Sequence, residues 1–256
     1  SYIGGGGQAL RWFRDQFFNS YRGQEQEDSA ELYEALTALA EPTSPGADGL
    51  FFSPHLGGRI CPATPEMRGT WLGFSWGHTQ AHFFRAVLES VAFEYAYYLS
   101  ILRDLIPVLS LLEARAVGGG ANSDVWNQIK ADVLNVPYQR LQRKELGTWG
   151  SAMIAGKAVG VYDDLGAVAA AHARPDKQPF RPRPENQAVY QRLSEKYIKL
   201  QRALEDVFID LYCVLEKRIL IQVDHVIFRR LILEQLLRII IKSNNEYVPR
   251  SRRSIE

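Results

Sequence analysis

Cysteine and an excess of either charge are what this chain most plainly lacks. Among its 256 residues only two are cysteines, Cys61 and Cys213, which stand far apart and show no CxxC spacing. They do not suggest a disulfide framework, so we expect a reducing, cytoplasmic setting. Lys and Arg number 30 and Asp and Glu 29, which gives a net charge of +1. This balance provides no electrostatic reason to expect nucleic acid as a partner.

Long uncharged apolar runs are also missing. The most apolar stretch, 219–241, is interrupted by five charged residues: Asp224, Arg229, Arg230, Glu234 and Arg238. A membrane-spanning helix needs about 18 or more residues with few or no charges, so this stretch does not predict one. The opening residues, SYIGGGGQALRWF, lack the basic segment followed by an apolar segment that marks a secretory leader. We therefore expect a soluble protein that has no membrane partner.

What the chain does contain is the composition of a globular protein with a sizeable core. Apolar residues make up 46% and charged residues 23%. Apolar residues recur at three- and four-residue intervals over 8–19, 32–39 and 79–105, and again after position 182, which predicts four helices. The breakers in PTSPGADG end the second of these helices, and Pro107 ends the third.

Short apolar segments between these helices predict strands. Residues 50–52, 111–117 and 138–141 have the length and composition of buried strands. The small residues of 148–160 predict a helix packed closely against another element. Because strands and helices alternate along the chain, the sequence predicts an α/β fold.

The most informative segment is AVGGGANSDVWNQIKADVL, residues 116–134. It predicts a strand that turns through three glycines into a helix, with Ser123 as its N-cap and Asp124 in its first turn. Glycines let the backbone approach a ligand closely, and a helix N-terminus presents free N–H groups and positive charge. A phosphate or a nucleotide suits such a site, although a tight turn without a ligand has the same pattern.

Two common phosphate-binding motifs fit this segment poorly. The dinucleotide motif GxGxxG requires glycine where Ser123 stands, and an acidic residue about 20 positions further on, where the chain has the basic segment QRLQRKELG. A Walker A loop requires Gly-Lys-Ser or Gly-Lys-Thr, which does not follow the glycines.

Four segments together resemble the FGGY family of carbohydrate kinases, and within it the xylulokinase-like members. Residues 52–62 are similar to the family's F-x-P-Y-L-x-G-E-R-x-P, and 69–89, with GTWLGF, HF and AVLE, resemble its C-terminal signature. Residues 118–132 resemble G-G-G-A-x-S-x-x-W-x-Q-x-x-A-D, and 147–156 resemble the small-residue helix that closes the domain. The shared order and spacing make the resemblance specific, and it covers roughly 8–205.

The resemblance implies an actin-like, ribonuclease-H-like domain whose glycine loop holds the adenosine and α-phosphate of ATP. The residues it places at the nucleotide are Gly118, Gly119, Gly120, Ala121, Asn122 and Asp124. ATP or ADP is then the expected ligand, with Mg²⁺ bound mainly by the lobe that precedes this domain in the family. The expected acceptor is a sugar, xylulose or a related pentulose or polyol. For Asp124, an adenine contact and the plain role of an acid at a helix N-terminus both remain open.

The family places much of its catalytic machinery outside this segment. In complete members an earlier lobe carries an Asp-x-Gly phosphate loop, most sugar contacts and the aspartate that acts as base, and this chain begins inside the family pattern. We therefore assign no catalytic residue and no metal ligand, and expect no phosphoryl transfer by this chain alone. Arg59 stands one residue out of the family's Gly-Glu-Arg register, and we expect its charge to face the cleft.

The sequence predicts two regions with different roles. Residues 1–207 should form the nucleotide-binding domain, and 208–256 a helical, apolar extension with a basic, disordered tail. The extension resembles nothing in the family and could form a homodimer contact. Two hypotheses follow: the chain is the nucleotide-binding half of a sugar kinase, or it is a non-catalytic actin-like module that serves assembly.

Histidine and tryptophan side chains have ordinary structural explanations. His78 and His82, in HTQAH, lack the glutamate of a zinc-binding helix, so we expect capping or packing roles. Four tryptophans are expected in the core or at a lobe interface: Trp71, Trp76, Trp126 and Trp149.

Overall fold

The computed structural model describes residues 6–18, 29–142, 145–176 and 178–213. The chain divides into two compact units, Ser1–Asp206 and Val207–Glu256. In the second unit the described residues, 207–213, are helical. The predicted apolar helix and basic tail of the C-terminal extension lie outside the described residues from position 214 onward.

The first unit alternates helices with four short strands. Its helices are α1 (Gly6–Phe17), α2 (Ser29–Ala40), α3 (Gln80–Leu105), α4 (Asp124–Leu134), α5 (Leu146–Ala158), α6 (Leu165–His172) and α7 (184–206). Its strands are β1 (Phe51–Ser53), β2 (Thr70–Leu72), β3 (Ala114–Ala116) and β4 (Tyr138–Arg140). Strands β1 and β2 pair antiparallel, and β3 and β4 pair parallel. The alternation predicted from the sequence is confirmed, while α6 was not predicted.

Helix α3 is the long central element against which α1, α2, α4 and β1 pack. Its N-cap is Thr79, and His82 completes a capping box by accepting the Thr79 backbone N–H. The helix is buried over most of its first half, where Phe84, Val87 and Val91 are almost fully enclosed. The apolar periodicity predicted from the sequence therefore marks the part of α3 that lies in the core.

Strand β3, helix α4 and strand β4 form the unit that carries the glycine loop. The strands pair in register from Ala114 with Tyr138 to Ala116 with Arg140. Since both strands run in the same direction, α4 must return the chain from the end of β3 to the start of β4. The helix ends at Leu134, and its C-cap residue, Asn135, takes the left-handed conformation that asparagine tolerates.

Two tyrosines of helix α7 donate hydrogen bonds to buried carboxylates of α3. The Tyr190 hydroxyl donates to Glu89 Oε1 at 2.7 Å, and the Tyr197 hydroxyl donates to Glu94 Oε1 at 2.7 Å. All four side chains are almost fully enclosed. Buried carboxylates require such donors, so α7 belongs to the core of this unit. The predicted inward stripe of this helix is confirmed at Tyr190 and Tyr197.

One side chain lies where the sequence did not place it, and one prediction is narrowed. Arg59 was expected to face a cleft, but it is buried and bonds Thr64, the Pro62 carbonyl and Glu205 of α7. The carboxylate of Glu205, which is far from Arg59 in sequence, forms an ion pair with it. The spacing of residues around Arg59 could not predict this partner. Trp76 is fully exposed within this unit, so it is not a core residue, and its expected position at a lobe interface stays a prediction.

Candidate functional site

The glycine loop turns sharply between β3 and α4. Gly118 takes a φ of 80°, in the left-handed region that an L side chain rarely adopts, so glycine is required there. Residues Gly119–Asn122 then form a single 3₁₀ turn, with the Ala121 N–H donating to the Gly118 carbonyl at 3.0 Å. Ser123 caps α4 as predicted, since its hydroxyl accepts the Trp126 N–H at 3.2 Å.

The outer side of this turn is open. Gly118, Gly119 and Asn122 are exposed, whereas Ala121 is buried. A methyl group added at Gly119 would meet no atom within 4 Å. The backbone at Gly119 can therefore be approached by a ligand at the positive end of α4.

Gly120 has a different reason to be glycine. A Cβ built on it would lie 2.5 Å from Trp126 Cζ3, and further ring atoms follow at 3.2 and 3.4 Å. Trp126 is buried, and its indole N–H donates to the Leu88 carbonyl at 2.8 Å. The inner side of the loop thus packs directly on a fixed ring. Gly120 is required by this packing whether or not a ligand binds.

Two residues that the sequence analysis did not single out, Asn127 and Arg140, contact the glycine loop and the first turn of α4. The Asn127 side-chain amide donates to the Ala121 carbonyl at 2.7 Å. Arg140, at the end of β4, donates to Asp124 Oδ1 at 2.7 Å and to Asp176 Oδ2 at 3.0 Å. Parallel pairing of β3 with β4 brings Arg140 beside the loop, so its position at the end of β4 was the available signal.

Asp124 lies in the first turn of α4, as predicted, and 61% of its side chain is exposed. Its ion pair with Arg140 is made through Oδ1. The carboxylate therefore stabilises the positive N-terminus of α4 and also links it to Arg140 of β4. An adenine contact remains a prediction.

A buried cation lies on the inner side of α4. Lys130 is 5% exposed, and its Nζ lies 3.6 Å from the centroid of the Trp126 ring and 5.5 Å from that of Tyr138. Burial lowers the pKa of the ammonium group to about 7. The aromatic faces favour the charged form and oppose this shift.

The other polar residues of the α4 motif fasten the chain that leads into α7. Asp132 is almost fully buried and accepts five hydrogen bonds. Three of these come from Arg183, one from Asn186 and one from Gln128. The motif W-x-Q-x-x-A-D thus contributes largely to the architecture, because its aspartate anchors a segment about 50 residues away.

The histidines at the start of α3 have the capping and packing roles that were expected. His78 Nδ1 accepts the Ser75 N–H at 2.8 Å, and His82 Nε2 lies 3.1 Å from Asp48 Oδ2. Within the described ranges, no three His, Cys, Asp or Glu side chains are grouped as metal ligands would be. None of the helices in the described part of the chain is both long enough and apolar enough to cross a bilayer.

Comparison with known proteins identifies the family. Residues 3–159 match the model of the FGGY family of carbohydrate kinases, C-terminal domain. The chain belongs to the FGGY family of carbohydrate kinases. It is 31% identical over 208 residues to a gluconokinase of Bacillus licheniformis, covering 80% of this chain and 40% of that protein. It is 29% identical over 209 residues to a xylulose kinase of Staphylococcus epidermidis, covering 81% of this chain and 40% of the relative.

Solved structures of this family have the same fold. The xylulose kinase of Rhodospirillum rubrum aligns with a TM-score of 0.64 and 32% identity over 79% of this chain and 38% of that one. The ligand-bound xylulose kinase of Lactobacillus acidophilus aligns with a TM-score of 0.68 and 26% identity, covering 82% and 40%. The expected family and the actin-like, ribonuclease-H-like α/β fold are thus confirmed. The FGGY chain spans about 40% of the length of these relatives.

Proposed function

We propose that this FGGY domain is the nucleotide-binding half of an ATP-dependent carbohydrate kinase. The observation that carries the proposal is the exposed glycine turn at the N-terminus of α4, where Gly119 leaves room for a ligand against the backbone. The proposed nucleotide contacts are Gly118, Gly119, Gly120, Ala121, Asn122 and Asp124. In this arrangement the turn holds the adenosine and α-phosphate of ATP or ADP.

The chemistry of the turn suits an anionic ligand. Backbone N–H groups and the positive end of the eleven-residue α4 attract phosphate oxygens without a base or a nucleophile. Asp124 is 61% exposed, and its carboxylate can also accept a hydrogen bond from the amino group of adenine. Arg140 and Asn127 hold the loop in place before the ligand arrives, which lowers the ordering cost of binding.

Phosphoryl transfer needs more than this domain provides. The complete enzyme would bring MgATP against a sugar and move the γ-phosphate to a hydroxyl group, relying on positioning and charge stabilisation. Since the chain spans about 40% of its relatives, we propose that the base, the sugar contacts and most contacts to Mg²⁺ lie in the remaining part. We accordingly expect no transfer by this chain alone.

The acceptor and the compartment are further proposals. Xylulose or a related pentulose or polyol is the proposed acceptor, since xylulose kinases are among the similar proteins. Gluconokinases and glycerol kinases are similar as well, so the acceptor itself must be determined by assay. A cytoplasmic location agrees with the exposed free thiols of Cys61 and Cys213.

Calorimetric titration with ADP and ATP, with and without Mg²⁺, tests the proposal when matched glycine variants are included. Gly119→Ala adds a methyl group in open space, so folding stability should change by less than about 0.5 kcal/mol. If phosphate packs on this backbone, the same methyl group should weaken ADP binding roughly tenfold. Gly57→Ala is the control, because Gly57 is exposed and its added methyl group also meets no atom within 4 Å.

Gly120→Ala must be interpreted together with stability. Its methyl group would collide with Trp126, so we expect a loss of about 1–3 kcal/mol in the free energy of unfolding besides any loss of affinity. Wild-type affinity in Gly119→Ala would refute the proposed placement of the nucleotide. A folded chain that releases no heat with ADP at millimolar concentration would refute nucleotide binding by this domain and favour the assembly hypothesis.

A further inference from the structure

Lys130 is a buried charge on α4 that the proposed function leaves unused. It lies one helical turn beyond Trp126 on α4, and its ammonium group covers the indole face at 3.6 Å. Among the residues that the structure describes, no carboxylate forms an ion pair with it, and burial is the sole cause of its lowered pKa. Because no carboxylate compensates it, the buried ammonium group depends on the surrounding aromatic faces to stabilise its charged form.

The indole ring of Trp126 contacts both Lys130 and the glycine loop. Trp126 is fixed at its N–H end by the Leu88 carbonyl, and the edge of its six-membered ring lies against Gly120. Lys130 occupies the face of the same ring. Because the loop cannot move inward past this ring, the ring position sets the distance between the loop backbone and α4.

The charge of Lys130 also acts on the loop directly. Its ammonium group lies on the face of the ring whose edge contacts Gly120, and because the side chain is buried its charge is weakly screened. The ring of Tyr138 on β4 lies 5.5 Å from the ammonium group, and Tyr95 on α3 interacts with Tyr138. Burial raises the pKa of both phenols, so they stay neutral around pH 7. Asp132 and Asp124 of α4 each already pair with an arginine.

We infer that Lys130 is a positioning residue of the nucleotide site: its ammonium group holds Trp126 against Gly120 and adds positive charge behind the loop, which strengthens the binding of nucleotide phosphates. This inference rests on the proposed function. The charged form predominates below about pH 7 and is lost above it, so nucleotide affinity should fall as the pH rises through this range.

Titration of the full chain by NMR tests the coupling without any ligand. The ¹³Cε shift of Lys130 reports its protonation between pH 5.5 and 9, and amide shifts report Gly119 and Gly120. We expect the Trp126 indole N–H and both glycine amides to titrate with the midpoint of Lys130. In Lys130→Met, which keeps an unbranched apolar side chain, these shifts should disappear.

Calorimetry with ADP at pH 6.0 and 8.5 tests the effect on binding. Wild-type affinity should fall about tenfold more than that of Lys130→Met over this range, the order expected for one partly screened charge near a phosphate site. ADP ionises alike in both titrations, so its own contribution cancels. Lys130→Arg should retain affinity at both pH values, and Lys199→Met, which removes an exposed lysine of α7, should behave as wild type.

The outcomes separate the two proposals. If Lys130 titrates while the glycine amides do not respond, or if wild type and Lys130→Met lose affinity equally, the positioning role is wrong even though ADP binds. If the glycine amides follow Lys130 but no variant binds ADP, the coupling to the loop is supported and nucleotide binding by this domain is refuted. The wild-type titration remains decisive if a variant fails to fold.

Discussion

Tyr197 offers a direct test of how α7 is held in the core. Its hydroxyl group donates to Glu94 Oε1 at 2.7 Å, and His55 Nε2 lies 3.1 Å from the same oxygen. Glu94 is fully enclosed, so water cannot replace a lost donor. A hydrogen bond to a charged group contributes about 1.5–3 kcal/mol, and we expect Tyr197→Phe to destabilise the domain by about 2 kcal/mol.

A double-mutant cycle identifies the charge of Glu94 as the cause. Between neutral partners the same hydrogen bond contributes about 0.5–1.5 kcal/mol, so Tyr197→Phe should cost roughly half as much in a Glu94→Gln background. Urea unfolding followed by far-UV circular dichroism provides the free energies. Val189→Ala, on the exposed side of the same helix, is the control and should cost less than about 0.5 kcal/mol.

Two results would refute this reasoning. One is a cost for Tyr197→Phe that does not exceed that of Val189→Ala, which would mean that the hydroxyl contributes nothing to folding. The other is an equal cost for Tyr197→Phe with and without the Glu94→Gln substitution, which would show that the carboxylate charge is irrelevant. Either result would also weaken the assignment of α7 to the core of this unit.

Two further predictions concern backbone strain and pH. Asp48 has a φ of 52° and an exposed side chain, a backbone conformation that glycine tolerates better than alanine. Both Asp48→Gly and Asp48→Ala lose the His82 contact, so urea unfolding should show a free energy of unfolding about 1 kcal/mol higher for Asp48→Gly. Burial raises the pKa of Tyr190 and Tyr197, so above pH 10 the unfolded chain loses protons that the native chain keeps. Stability should then fall by about 1.4 kcal/mol per pH unit for each phenol, and urea midpoints from pH 9 to 11 for wild type and Tyr197→Phe test this.

Local signals were sufficient for the elements that present the site. The long apolar stripe placed α3, and the pattern from Gly118 to Ser123 placed the turn and the cap of α4. These features depend on residues within one or two turns of each other. The sequence therefore predicted them, together with the α/β order.

The supporting contacts could not be predicted because their partners are distant in sequence. Tyr197 and Glu94 are separated by 103 positions, and Arg140 reaches Asp124 only because β3 and β4 pair in parallel. Glycine patterns also do not reveal whether a position is open to a ligand or filled by a neighbour. Only the location of Trp126 distinguishes Gly120, which packs, from Gly119, which is open.

The most direct measurement of the central claim is an amide NMR titration of the full chain with ADP. If the glycine turn holds the nucleotide, saturable shifts should centre on Gly118 to Asn122 and on Asp124, with smaller changes elsewhere in the domain. Shifts centred on another surface, or none at millimolar ADP, would contradict the assignment of this turn as the nucleotide site.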